Sequence, residues 1–315
     1  MPDAPGSDQD SGKTAVLDGF LTLADEWIAQ KADDRGVAWF RGAVHDVRHT
    51  ANQRTLGVVI GLAPRRLGKA DLSLSEAELA RAEALRVGLD PSDWSIDQLA
   101  RIALMAASHA GDDAAFASRF DSFCATAEIN ELIALCRGLP VYPNAALIEP
   151  RAREAVRSGM KPVFEAVAHR NPYPRETFAE DAWNQMVVKA FFMGSTLWPI
   201  QGLDDRANPR LARMLVGLAQ ERCAAQRPVS GEVWRCVAPH ADGECVAALK
   251  HGWNAGNDKE RLAIALALQK APQICADLPA DEIAKFQTRL ASERMSWRDL
   301  AWADCETCEH GRGCF

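Results

Sequence analysis

Leu17-Asp18-Gly19-Phe20-Leu21-Thr22-Leu23-Ala24-Asp25-Glu26-Trp27 sets Leu17, Phe20, Leu21, Ala24 and Trp27 at i, i+3, i+4, i+7 and i+10. At 3.6 residues per turn these side chains stack on one helix face, and a strand would scatter them over two. The same period recurs along the chain. Glu76 to Leu85 and Ile96 to Ser108 read as helices, with Ser95 placed to cap the second. Asp112 to Ala127 carries Phe116, Phe120 and Phe123 on one face, and Glu131 to Arg137 ends at Gly138, expected as a left-handed stop. Pro143 to Ser158 with Lys161 to Arg170, then Ser230 to Val237 with Glu244 to Trp253, form candidate helix pairs, followed by Asp258 to Lys270 and Ala280 to Leu290. The fold class is therefore all-α, and antiparallel pairs joined by short turns predict an irregular α-solenoid of HEAT-like stacked helix pairs. No strict repeat is present, so an irregular helical bundle is the other compatible arrangement. One segment breaks the period: Thr55 to Lys69 holds Gly57, Gly61, Pro64 and Gly68, and is expected to be a loop with a short strand or helical turn.

Composition narrows the function. The 315 residues are 48% hydrophobic and 25% charged, enough for a substantial core. The net charge of −7 argues against a general nucleic-acid binder. Apolar runs such as Ala263 to Leu268 are far shorter than a membrane span, so no membrane insertion is expected. Residues 1–13 lack a signal peptide's basic start and apolar stretch, and read as a disordered tail on a cytoplasmic protein. Residues 14–300 then form the helical domain, and 301–315 a cysteine-rich tail.

Chemistry-bearing groups concentrate between His169 and Arg213. Pro172 and Pro174 stop one helix. Thr177, with Glu180 three residues on, predicts a capping box opening the next, whose apolar face is Trp183, Met186, Val187, Ala190 and Phe191. Asn208 and Pro209 open another helix as N-cap and first residue. Arg206, Arg210 and Arg213 lie near that helix start, where cations oppose the macrodipole unless anions answer them. Two readings stand side by side. In one, His169, Tyr173, Asn184, Lys189, Asp204, Asp205, Arg206, Asn208, Arg210 and Arg213 bind an anionic or polar metabolite. In the other, the arginines bridge acidic residues and helix ends inside the fold.

Cysteines divide into two groups. Cys124, Cys136, Cys223, Cys236, Cys245 and Cys275 stand singly in apolar helical contexts, as small core residues do. Cys305, Cys308, His310 and Cys314 crowd thiols and an imidazole into ten residues, ligand types that suit zinc. The one-residue gap between Cys308 and His310 departs from common zinc spacing, which leaves a redox-active tail or one with no dedicated role as alternatives. His45 and His49 are four apart but lack the glutamate of H-E-x-x-H, and read as a surface pair. No P-loop, dinucleotide fingerprint or nucleophile elbow is present.

Five blocks together resemble the EboA family: Ala63 to Lys69, Asn171-Pro172-Tyr173-Pro174, Ala182 to Lys189, Gly202 to Asn208, and Val229 to Pro239 with Trp234. The resemblance runs from about Val58 to about Lys270. It implies a helical protein serving the biosynthesis or traffic of a small metabolite, encoded with a prenyltransferase-like enzyme, a sugar-phosphate-cyclase-like enzyme, a TatD-like hydrolase and TIM-barrel proteins. Those enzymes are the expected protein partners. The resemblance supplies no catalytic residues and no cofactor. The lack of a nucleophile–base constellation favours a non-catalytic scaffold or carrier over an enzyme using Lys189 or His169 as base and Asp204 as acid or orienter.

Overall fold

A computed structural model describes residues 7–50, 53–227 and 229–301, so the cysteine tail from Cys305 lies outside the described residues. Among these residues the fold is all-helical with no strand, and one isolated bridge joins Asp71 and Ser95. The chain divides into two compact units, Met1–Phe178 and Ala179–Phe315.

The first unit holds α1 (Ser7–Lys31), α2 (Asp34–Thr50), α3 (Gln53–Leu67), α4 (Glu76–Leu85), α5 (Ile96–Ala107), α6 (Asp113–Cys124), α7 (Ile129–Arg137), α8 (Ala145–Arg157), α9 (Lys161–Ala168) and α10 (Tyr173–Thr177). The α1 stripe is buried as its spacing predicts, with Phe20, Ala24 and Trp27 fully enclosed. Burying a side chain the size of Phe20 stabilises by about 1.5–3 kcal/mol. Helix α1 starts at Ser7, within the segment expected as a polar tail. Helix α5 is the hub: α1, α2, α3 and α7 all pack on it, and 11 of its 12 residues are buried. Beyond the hub, α6 packs on α8, α7 on α9, and α8 on α9.

The expected loop at Thr55 to Lys69 is instead helix α3. Leu56, Val59, Ile60 and Ala63 make a buried stripe at i, i+3, i+4 and i+7, and packing against α2 and α5 outweighs the poor intrinsic propensity of Gly57 and Gly61. Pro64 has no N–H for the Ile60 carbonyl one turn back. Arg101 of α5 takes over: its Nε donates to the Ile60 oxygen at 3.3 Å, while Nη1 reaches Asp97 at 3.1 Å and the Asn130 carbonyl at 3.3 Å. Both charged side chains are about 5% exposed, so this buried pair ties α3, α5 and the start of α7 together. Gly138 does end α7, but at φ −75°, not left-handed. A Cβ there would stand 2.3 Å from the Tyr142 hydroxyl oxygen, so the residue is small for space.

The second unit holds α11 (Glu180–Phe192), α12 (Leu203–Arg206), α13 (Pro209–Ala224), α14 (Val233–Val237), α15 (Gly243–Ala255), α16 (Asp258–Leu268) and α17 (Ala280–Glu293). Its core gathers Trp183, Phe191, Leu215, Trp234, Trp253 and Ile264. Thr177 does not cap α11. Its hydroxyl donates back to the Tyr173 carbonyl at 2.7 Å, closing the short α10, and Ala179 stands at the N-cap of α11 without a side-chain bond.

Candidate functional site

Asn208 precedes α13 in extended geometry, and its Oδ1 accepts the Leu211 N–H at 2.9 Å, as an N-cap should. The same oxygen accepts from Asn184 Nδ2 at 3.2 Å, and Asn208 Nδ2 donates to Asn184 Oδ1 at 2.9 Å and to the Arg206 carbonyl at 3.1 Å. Asn184 is 1% exposed, so this reciprocal amide pair satisfies a buried polar side chain and pins α11 to the start of α13.

Asp204 accepts from Arg235 Nε at 2.6 Å and from Lys270 Nζ at 2.5 Å. Burial alone would raise its carboxyl, but the two hydrogen bonds and the two cationic charges together outweigh it and hold Asp204 below the ordinary carboxylate range. Arg210 pairs with Asp181, and Arg213 with Asp242 at 3.3 Å, both on exposed surface. Asp205 is exposed. The Arg206 guanidinium lies over the Trp183 ring, 4.6 Å from its centroid. Burial pushes the Arg206 charge toward the neutral form, with Glu180 acting in the opposite direction, and burial likewise lowers Lys189.

His169 and Tyr173 belong to the first unit. His169 is half-buried at the end of α9. Tyr173 is 2% exposed, its hydroxyl donates to the Ala145 carbonyl, and burial pushes its pKa up. Next to it Asn171 is buried and saturated: Nδ2 donates to the carbonyls of Cys136 and Ala166, and Oδ1 accepts the Tyr173 N–H. The Asn-Pro-Tyr-Pro block is thus a fastener between α7, α8 and α9.

A different place offers open volume. Helices α6, α7, α8 and α9 enclose a cleft of about 330 Å³. Phe120 and Cys124 of α6, Leu132 and Cys136 of α7 and Val163 of α9 form its apolar walls. Ala152 and Ala155 line it from α8, and their methyls leave the space that longer side chains would fill. Burial pushes the Cys124 thiol well up and Cys136 to about 12, so both are protonated and unreactive at neutral pH. Behind them Tyr142 is 6% exposed, and among the described residues its hydroxyl has no hydrogen-bond partner. Arg151, Glu154, Arg157 and Met160 stand around the mouth.

Three sites of buried ionisable groups escape motif reading. The Asp97–Arg101 pair is one, and only its i, i+4 spacing hints at it. The second is Glu232, fully buried: its Oε1 accepts the Leu197 and Trp198 N–H groups at 3.0 and 2.6 Å, clipping the loop before α12, and burial raises its carboxyl despite those bonds. Glu260 is the third, at 9% exposure, with burial raising it to about 7 and the Trp234 indole acting weakly the other way. Its carboxyl fills space that glycines leave: a Cβ on Gly256 would lie 2.5 Å from Glu260 Oε2.

No His, Cys, Asp and Glu cluster among the described residues has the makings of a metal site. His45 and His49 stack with ring centroids 4.1 Å apart. The zinc expectation for Cys305, Cys308, His310 and Cys314 falls outside the described residues. Among the described residues no helix is long and apolar enough to cross a membrane.

Neither a curated protein nor a solved structure matches the chain. A family model does: the one described as metabolite traffic protein EboA covers residues 20–238, well over half the length and the whole span of the cleft walls. The chain belongs to the EboA family.

Proposed function

We propose that this chain is a non-catalytic accessory protein, a carrier or scaffold, in the biosynthesis or traffic of a small polar or anionic metabolite made by an ebo-type gene cluster. The observation that carries the reading is the cleft of the first unit: about 330 Å³, within the family segment, and walled by aliphatic, aromatic and protonated thiol groups. Such walls favour holding a molecule, and the two thiols among them, protonated at neutral pH, offer no ready nucleophile. Enzymes of the same cluster are the protein partners in this reading, with the stacked α6–α9 pairs serving as an irregular HEAT-like solenoid surface. Buried unpaired thiols such as Cys136 and Cys236 support a reducing cytoplasm. Zinc on the C-terminal Cys/His set rests on ligand type alone.

Within the second unit, Arg206, whose guanidinium lies over the Trp183 ring, and Lys189 are the proposed contacts for an anion, on side-chain chemistry alone. Asn184, Asn208, Asp204, Arg210 and Arg213 brace that corner. The alternative is an enzyme of the same pathway using His169, Lys189 and Asp204 on a polar or phosphorylated substrate. It has weaker support, since Arg235 and Lys270 keep Asp204 ionised and unfit as a proton donor at neutral pH.

Native mass spectrometry of the chain purified from a host carrying the whole cluster tests the proposal. A bound small molecule, released unchanged on denaturation, is the expected result. A clean apo chain despite full expression of the cluster would overturn the carrier reading, and steady conversion of the molecule by the purified chain would favour the enzyme.

A further inference from the structure

We infer that the cleft between α6, α7, α8 and α9 takes a small amphiphilic anion, with its apolar body against Phe120, Cys124, Cys136 and Val163 and its anionic group at Arg157. The inference rests on the carrier reading and adds the ligand's chemical class.

Two features of the cleft select that class. First, the walls give a wholly polar ligand nothing in exchange for lost water, which narrows the carrier reading to its anionic branch and adds an apolar body to it. An apolar body gains there, at roughly fourfold in affinity for each methylene buried. The volume lies at the lower end of ligand pockets, which run from about 300 to 1,000 Å³, so the guest is small. Second, the two arginines at the mouth differ. Arg151 is held by Asp121 at 2.5 Å and Glu154 at 2.6 Å, so its charge and that of Glu154 are already answered. Arg157, on the same helix and exposed, has no ion-pair partner among the described residues. A carboxylate, sulfonate or phosphate gains a charge-assisted bond there, a neutral guest gains nothing, and a cation is repelled.

Two fluorescent probes of one shape separate these features: 1-anilinonaphthalene-8-sulfonate and its uncharged parent N-phenyl-1-naphthylamine, titrated into the full chain at low salt. Both are expected to bind at one site, with the sulfonate about three- to tenfold tighter. Arg157→Gln should abolish that preference and leave the parent's affinity unchanged. Ala155→Phe, which fills the cleft, should weaken both dyes tenfold or more. Met160→Trp, at a mouth position 45% exposed that tolerates the ring, provides the same block should the Ala155 variant fail to fold. Equal affinities, or a preference that survives Arg157→Gln, would overturn the amphiphilic-anion inference while leaving an apolar carrier standing, as long as the filled cleft loses both dyes. Dye binding that neither filling variant weakens would remove the cleft as a site, and the carrier reading with it.

Discussion

The polar corner of the second unit and the apolar cleft of the first are opposites. In the corner the residues are conspicuous, and the fold uses them: Asn184 and Asn208 bond each other, Asp204 holds two cations, and Arg210 and Arg213 each hold an acid. In the cleft the residues are inconspicuous, and what matters is the space beside Ala152 and Ala155. A cluster of charged and amide side chains in a sequence therefore marks a place where helices must be fastened at least as readily as a place where a ligand docks. The comparison makes a general prediction: changes in the corner cost stability, and changes in the cleft cost binding.

The sharpest way to break it is Asn208→Ala. The variant loses the α13 cap, about 1 kcal/mol, and leaves the buried Asn184 amide short of its partner, about 1–3 kcal/mol more. Urea unfolding should show a loss of about 2–4 kcal/mol, with both dyes still binding the first unit at wild-type affinity. A loss below about 0.5 kcal/mol would mean the amide pair is no brace.

Glu260 sharpens the comparison from the other side, as a buried carboxylate in the second unit with no ion-pair partner among the described residues. Its folded pKa of about 7 lies above the ordinary 4.5. The folded state therefore holds the proton more tightly, so the stabilising contribution is full below about 4.5 and is lost as pH rises through 7. Glu260→Gln does not titrate. Relative to wild type it should gain on the order of 1–3 kcal/mol between pH 5 and pH 8, measured by urea melts across that range. Parallel pH profiles for the two proteins would show that Glu260 is solvated in the folded chain.

Asp204→Asn should cost about 1 kcal/mol at pH 7, since the pairs with Arg235 and Lys270 are partly exposed. The Asp204 carboxyl is held low, so its contribution is present above the ordinary carboxylate range and disappears as pH falls through its folded value. The gap between variant and wild type should close below about pH 4 and narrow in high salt. A gap that persists in acid would assign the loss to packing and not to charge.

The helical period and most helix ends were legible because they depend on local spacing: the Leu17 to Trp27 stripe, the Asn208 cap and the Phe116, Phe120 and Phe123 face all appear where expected. The misreadings share a cause. At Thr55 to Lys69 the glycines and Pro64 argued locally for a loop, but a buried stripe and a distant Arg101 overrode them. At Thr177 the capping-box spacing was present, yet its hydroxyl found a nearer carbonyl. Gly138 was placed correctly for the wrong reason, because its neighbour Tyr142 is a contact through space. The cleft left no signal at all, since a void is made by what Ala152 and Ala155 lack.

The smallest effect is the most direct test of the corner's surface. Arg210 and Asp181 are both more than half exposed, so their pair is worth about 0–0.5 kcal/mol whatever its geometry. Arg210→Ala should leave unfolding within that margin and leave the dyes of the first unit unaffected. Its value lies in a second measurement, the affinity of the chain for inorganic phosphate by isothermal titration. If Arg206 and Lys189 form the anion contact, phosphate binding survives Arg210→Ala and drops severalfold in Arg206→Gln, whose stacking face on Trp183 is lost together with the charge. If Arg210→Ala alone abolishes it, Arg210 has left Asp181 for the ligand, and the boundary between fastening and receiving residues runs through the corner itself.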